Sequence, residues 1–271
     1  MSLQAVSLGR EVDVWRPRTG VVHSAFERAV NLLVDGELWT VLGAARADSP
    51  FGIRLAASDA ALDVKAQDRV NVRAGYVGLG RLVVDCRTAS RWAPTRWGQP
   101  AAGLAARLAA VADAARARAW HESAAMASDV TDALRGADAE LAGAVRRTVG
   151  CGPGLTPAGD DVLVGILALL TSGAAGATGE RAASRLASAL APVLPTTSDL
   201  SRHLLQQAAR GLAGRALHDL GQALMQDTAH DVLAHAIERV LDSGCTSGAD
   251  AATGLAAACR FIFFTPDWAA A

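Results

Sequence analysis

A change of texture part-way along the chain constrains its fold more than any other feature. Residues 20–87 read as short strands: "VVHSAFERAVNLLV", "ELWTVLG", "FGIRLA", "RVNVRAGYVGLG" and "RLVVDC" are rich in Val, Leu and Ile and separated by turn residues. From Pro100 the pattern becomes alanine-rich, with Leu104, Leu108 and Val111 at helical spacing. Strands first and helices afterwards give an α+β arrangement. The reading is a β-rich N-terminal domain, a barrel or sandwich, over residues 1–95, followed by an α-helical C-terminal domain over 96–271. The join falls in "TASRWAPTRWGQ", residues 88–99. Asp35-Gly36 predicts a tight hairpin turn. Ala25 to Ala29 also fits a helical turn, which leaves the first strand open. Pro100 suits a helix first turn. Further helices are predicted over 121–134, 138–148, 158–171, 179–193, 200–213, 215–226, 229–242 and 249–263.

The 271 residues suffice for one large or two smaller domains, and 51% are apolar, ample for a core. A net charge of −1, with no basic block, gives no footing for nucleic acid or an anionic membrane. Lys65 is the only lysine, and no GKS or GKT occurs, which removes P-loop chemistry. Cys86, Cys151, Cys245 and Cys259 include no C-x-x-C pair and do not read as a disulfide framework. The start "MSLQAVSLGREVDVW" is not a signal peptide. The longest strictly apolar run, Val162 to Leu170, is too short to span a bilayer. The expectation is a soluble, cytoplasmic protein.

"GCGPGLTPAGDD", residues 150–161, stands at the mouth of that apolar run. Thr156 reads as the helix cap and Pro157 as its first residue, placing Asp160 and Asp161 in the first turn, where the helix dipole favours carboxylates. Capping alone explains the aspartates but not Gly150, Gly152 and Gly154, which cost stability unless the backbone needs positive φ or close approach to something. A glycine-rich turn feeding a helix start exposes N–H groups suited to phosphate or carboxylate, with Gly152, Gly154, Thr156 and Gly159 as candidate ligand-binding residues. Asp160 and Asp161 could instead hold Mg²⁺ against a phosphorylated ligand. No firmer metal or cofactor emerges.

"GCTSGAD", residues 244–250, echoes the motif. Gly244, Thr246 and Asp250 match Gly154, Thr156 and Asp160, each 90 positions on. Gly165 and Gly254 each follow an aspartate, Asp161 and Asp250, by four positions and so share its helix face. Two such starts could converge on one ligand, adding Thr246, Ser247, Gly248 and Asp250 to the candidates. The competing explanation is that these residue types are common at any helix start. A third polar cluster, "PTTSDLSRHLL" over 195–205, adds Thr196, Thr197 and Ser201, although one hydroxyl there could be a simple cap and Arg202 and His203 could be solvated. His230 and His235 are badly spaced for a helical metal pair, His121 lacks a ligand partner, His218 reads as exposed and His23 as core. No H-E-x-x-H or G-x-S-x-G occurs, which disfavours a triad hydrolase.

Taken in order, "GPGLTPAGDD", "TTSDLSRHLL" and "GCTSGAD" resemble the signatures of a bacterial family that includes the AllH-like subunit of oxamate carbamoyltransferase, from anaerobic allantoin breakdown. "VVHSAFERAVNLLV" resembles its β-rich start, and the likeness covers roughly residues 20–260. The resemblance implies carbamoyl transfer between oxamate and carbamoyl phosphate beside partner subunits. In that scheme the N–H groups of 152–156, with Thr156, Thr246 and Ser247, would hold oxyanions. Asp160, Asp161 and Asp250, the candidate catalytic residues, would orient an amide N–H₂, bind Mg²⁺ or accept a proton. The chain departs from the pattern at Ala158, where the family usually has serine, and at Cys245, where histidine is frequent. It also lacks the S-T-R-T signature of ordinary carbamoyltransferases. Two alternatives remain from the residues: a non-catalytic metabolite- or nucleotide-binding subunit, with an exposed apolar patch involving Trp92 and Trp97, and a Mg²⁺-dependent phosphoryl-transfer enzyme. A small anionic metabolite is the expected ligand, and an oligomer is compatible with every reading.

Overall fold

A computed structural model describes residues 2–27, 29–57 and 63–264. Arg28, inside one segment read as a strand, lies outside the described residues. The chain divides into two compact units, Met1–Pro94 and Thr95–Ala271.

The first unit is a β-barrel of eight strands: β1 (Ser2–Gly9), β2 (Arg18–Phe26), β3 (Ala29–Val34), β4 (Glu37–Leu42), β5 (Gly52–Leu55), β6 (Arg69–Arg73), β7 (Tyr76–Leu79) and β8 (Leu82–Asp85). The sheet runs β5-β4-β3-β2-β6-β7-β8-β1 and closes by pairing β1 with β5. A ninth short strand, β9 (Ser90–Trp92), runs parallel to the far half of β1. Closure removes the unpaired edges of an open sheet. Period-two burial builds the core: in β6, Val70 and Val72 point in while Arg69, Asn71 and Arg73 point out.

Residues 21–26 and 29–34 are two paired antiparallel strands, which makes Ala25, Phe26 and Ala29 strand rather than helix. "RVNVRAGYVGLG" is likewise a hairpin, turning at Ala74 (φ 50°) and Gly75 (φ 84°). Asp35 (φ 47°) and Gly36 (φ 84°) make the expected tight turn, pairing Val34 with Glu37. His23 sits at a bulge in β2 and is half-buried, its Nδ1 3.1 Å from Ser24 Oγ.

The second unit is helical: α1 (Leu104–Arg116), α2 (Ser123–Ala133), α3 (Asp138–Thr148), α4 (Ala158–Leu170), α5 (Gly176–Leu190), α6 (Asp199–Ala209), α7 (Arg215–Met225), α8 (His230–Leu241) and α9 (Ser247–Phe264). Pro100 precedes α1 rather than opening it; Gly103, at φ 79°, occupies the start. The unit is organised around α4 and α9. Every residue of α4 except Val164 is buried, so the apolar run is a core helix. The two helices cross at glycines. A Cβ on Gly165 would lie 1.9 Å from the Ala251 carbonyl oxygen, and one on Gly254 would lie 2.0 Å from that of Val162. Helices α1 and α2 pack on α9, and α6 packs on α4. Among the described residues no helix is long and apolar enough to cross a membrane.

His218, read as exposed, is 8% exposed and takes the Thr95 N–H on Nε2 at 3.0 Å. Trp97 is 6% exposed and packs against Gly221, so it belongs to the core and not to a surface patch.

Candidate functional site

The glycine crossing is reciprocal: Gly165 meets Ala251 while Gly254 meets Val162. Position 254 lies 89 after 165, and position 250 lies 89 after 161. In the packed helices Asp250 is therefore the counterpart of Asp161, not of Asp160. On the same register Ser247 matches Ala158 and Gly248 matches Gly159. The 90-residue spacing of Thr156 and Thr246 belongs to the loops, where the helix register no longer holds.

The glycine pair brings the two helix starts together. Thr156 Oγ lies 2.9 Å from Ser247 Oγ and donates to Asp161 Oδ2 at 2.9 Å. A short polar chain, Asp161–Thr156–Ser247, thus bridges the two motifs. Thr156 is not the cap of α4; Pro157 holds that position, and its carbonyl accepts from the Asp160 and Asp161 N–H groups. The threonine hydroxyl is free for the bridge because the proline carbonyl satisfies the first turn.

Asp160 turns the other way. Its Oδ1 accepts from the Gly150 N–H at 2.9 Å, and its Oδ2 accepts a short hydrogen bond from Thr197. Ser201, 1% exposed, faces the same carboxylate. This aspartate braces the glycine turn and ties the third motif to the first. Ser198 caps α6 through the Ser201 N–H at 3.1 Å and donates to the Leu155 carbonyl at 3.0 Å. Thr196 does not join the cluster; its hydroxyl folds back on the Val193 carbonyl at 2.7 Å. Arg202 pairs with Asp199 at 2.6 Å.

Asp250 is fully buried. Its Oδ1 accepts from the Trp120 N–H at 2.8 Å and the Ser123 hydroxyl at 2.6 Å. Its Oδ2 is enclosed and meets no donor among the described residues. An enclosed acceptor left unpaired costs about 1–3 kcal/mol, more when charged. Trp120 and Ser123 were not legible as site residues, because nothing local in "AWHES" points 130 positions ahead. The Trp120 ring also approaches Gly152, where a Cβ would stand 3.1 Å from it.

Burial pushes the Asp161 carboxyl well above its usual range; Thr156 and Ser247 counter this, while the charges of Asp250 and Asp160 add to it. Burial also raises Asp160, against the hydrogen bonds from Thr197 and Gly150. Buried Cys86, pushed up to about 12, and buried Cys259, also pushed up, are poor nucleophiles.

Gly152 and Gly154 have φ of 96° and 110°, which only glycine adopts readily. Among the described residues nothing accepts from the N–H groups of Gly152, Gly154, Leu155 or Thr156. Those of Gly159, Asp160, Asp161, Gly248 and Asp250 are already taken by backbone carbonyls. Free donors thus sit in the loop before α4, not in the helix turns. Gly159 and Gly248 serve close packing: a Cβ would meet the Thr148 and Val240 carbonyl oxygens at 2.0 and 1.8 Å. Thr246 contributes its carbonyl to the Asp250 N–H at 2.9 Å. Among the described residues no group of three or more His, Cys, Asp or Glu side chains is placed to hold a metal ion. Clefts of about 380 and 260 Å³ lie on α5–α6 and α3–α5; of the motif residues only Leu205, the last of the third motif, lines either one.

Fold and site together define a two-unit protein, a closed barrel and a helical body with a polar cluster where two alike helix starts meet. Residues 148–259 match the family described as oxamate carbamoyltransferase subunit AllH, and residues 4–91 match the AllH family N-terminal domain. The chain belongs to the AllH family. No curated protein and no solved structure matches it.

Proposed function

We propose that this chain is the metabolite-binding subunit of a carbamoyl-transfer assembly, taking carbamoyl phosphate or oxamate at the paired starts of α4 and α9. The supporting observation is the Thr156–Ser247 contact, which ties the loop carrying the unpaired N–H groups, and Asp161 through Thr156, to the start of α9. Three carboxylates make a poor site for a simple anion. They suit a ligand that carries acceptor oxygens at one end and an N–H₂ at the other, as carbamoyl phosphate and oxamate both do. Loop N–H groups would hold the phosphate or carboxylate oxygens. Carbamoyl transfer needs such fixed donors where charge develops more than it needs a covalent nucleophile. The family's description as a subunit supports partner chains that complete the reaction.

The Mg²⁺ alternative has less support, because Asp160 and Asp161 turn to different donors and do not converge. Titration calorimetry with carbamoyl phosphate, with and without Mg²⁺, tests the proposal. The expected result is Mg²⁺-independent binding that Thr156→Val weakens by about tenfold or more, the worth of a charge-assisted hydrogen bond. No binding, either by the full chain alone or with its co-purified partners, would refute the proposal, and strict Mg²⁺ dependence would replace it with the metal reading.

A further inference from the structure

The glycine turn before α4 is tied at both ends. Asp160 takes the Gly150 N–H at 2.9 Å, while Ser198 donates to the Leu155 carbonyl at 3.0 Å and Ser247 meets the Thr156 hydroxyl at 2.9 Å. Between those ties Gly152 has φ 96° and no side chain to fix its own shape. The space its Cβ would enter is already filled: the Ala158 methyl lies 2.9 Å and the Trp120 ring edge 3.1 Å from that point. Trp120 belongs to neither motif. It is half-buried in the α1–α2 turn, and its backbone is fastened to the other helix start. Its N–H donates to Asp250 Oδ1 at 2.8 Å, its carbonyl accepts from the Ser123 N–H at 3.0 Å, and the Ser123 hydroxyl returns to the same Oδ1 at 2.6 Å. His121 meets the indole edge to face, with ring centroids 5.0 Å apart.

We infer that Trp120 is a positioning residue of the anion site: fastened to α9 through Asp250, it braces Gly152 with its ring and holds the unpaired N–H groups of 152–156 in one arrangement before a ligand arrives. This rests on the proposed function and adds the α1–α2 turn as a third wall of that site. Trp120 acts through the loop and does not itself touch the ligand. The physical reason is entropy. Glycine loses more backbone freedom on ordering than any other residue, and a turn that is loose in the free protein must be ordered on binding. The ring removes that freedom in advance. Buried Asp250 then has a role that needs no access to solvent, since it anchors the turn that carries the ring.

The probes are carbamoyl phosphate and inorganic phosphate, titrated calorimetrically into the full chain, with Trp120→Phe and Trp120→Ala beside wild type. Trp120→Phe keeps an aromatic ring against Gly152 and is expected to bind both probes close to wild type. Trp120→Ala frees the turn and is expected to weaken both by about tenfold or more, the cost of ordering one or two further residues. Tryptophan emission supplies a second readout, which does not depend on the alanine variant folding. Binding is expected to shift the emission of wild type, and in Trp120→Phe the shift is lost while the affinity stays. A folded Trp120→Ala with wild-type affinity would overturn the inference and leave the proposed anion site standing. So would an emission shift that persists unchanged in Trp120→Phe. A Trp120→Phe as weak as Trp120→Ala would replace the brace with a direct contact between indole and ligand. Failure of wild type to bind either probe, alone or with its co-purified partners, would overturn both readings.

Discussion

Gly165→Ala is the substitution that tests the helix crossing most directly. The added Cβ would stand 1.9 Å from the Ala251 carbonyl oxygen. Favourable contact lies near about 3.5 Å, so α4 and α9 would have to part by roughly 1.5 Å. The obstacle is backbone on both sides, and no rotamer change relieves it. Alanine gains about 1 kcal/mol of helix propensity over glycine. Against this, a gap of about 1 Å already forfeits a quarter to a half of each dispersion contact along the seam. Overpacking commonly costs about 1–3 kcal/mol even where side chains can yield. With nothing to yield here, a net loss of about 3 kcal/mol is expected. Gly254→Ala, at 2.0 Å from the Val162 carbonyl oxygen, should cost about as much. The double variant should cost clearly less than the two losses together, because one parting of the helices accommodates both methyl groups. Urea unfolding followed by helical circular dichroism measures this, with the two units treated as separate transitions. A Gly165→Ala midpoint at or above wild type, with unchanged slope, would refute the close crossing; strict additivity would refute the shared seam.

Asp161 binds its proton more tightly in the folded state than at the ordinary value of 3.8. Its contribution to stability is therefore greatest below that value and falls as pH rises toward the folded one, by up to about 1.4 kcal/mol per pH unit. Asp161→Asn should flatten that fall and be at least as stable as wild type at neutral pH, as pH-dependent urea midpoints would show. Ala74 holds φ 50° in the β6–β7 turn. Ala74→Gly should stabilise the barrel by about 1 kcal/mol, read as a raised melting temperature, and a lowered one would contradict the strain. Arg185 donates to the Leu134 and Gly136 carbonyls at 2.7 Å and to Asp138 at 2.8 Å. Arg185→Ala should cost about 2 kcal/mol by the same unfolding assay.

Helices were the most legible part of the chain, because Ala- and Leu-rich periods separated by glycine and polar breaks survive in a single sequence. Strands were read less completely. β1 was missed, since Ser2, Gln4 and Ser7 dilute its apolar alternation, and β9 lay hidden in a proline-containing join. The β6–β7 hairpin read as one strand because Ala74-Gly75 lacks the Asn-Gly or Asp-Gly signal that marked Asp35-Gly36. The motif echo announced that two helix starts were alike. It could not choose between Asp160 and Asp161 as the counterpart of Asp250, because that choice is made where α4 and α9 touch. Thr156 misled as a cap, since a hydroxyl engaged across the helix pair looks, one-dimensionally, like a local one. Trp120 and Ser123 carry no local signal at all.

The way the barrel closes governs the order in which it can be made. β1, which precedes the other strands of the barrel along the chain, pairs with residues 53–55, 83–85 and 90–92. Its two neighbours in the closed barrel are therefore complete only after some eighty further residues have been synthesised. Until then β1 is a nascent segment bearing Leu3, Ala5 and Leu8 without shelter. Sealing must come late, as a long-range event, while the hairpins β3–β4 and β6–β7 can form from neighbouring sequence. A chain that loses these first residues keeps its hairpins but cannot close the ring. The exposed rims of β5 and β8 would then be open to pairing with other copies, and aggregation during synthesis is the expected phenotype.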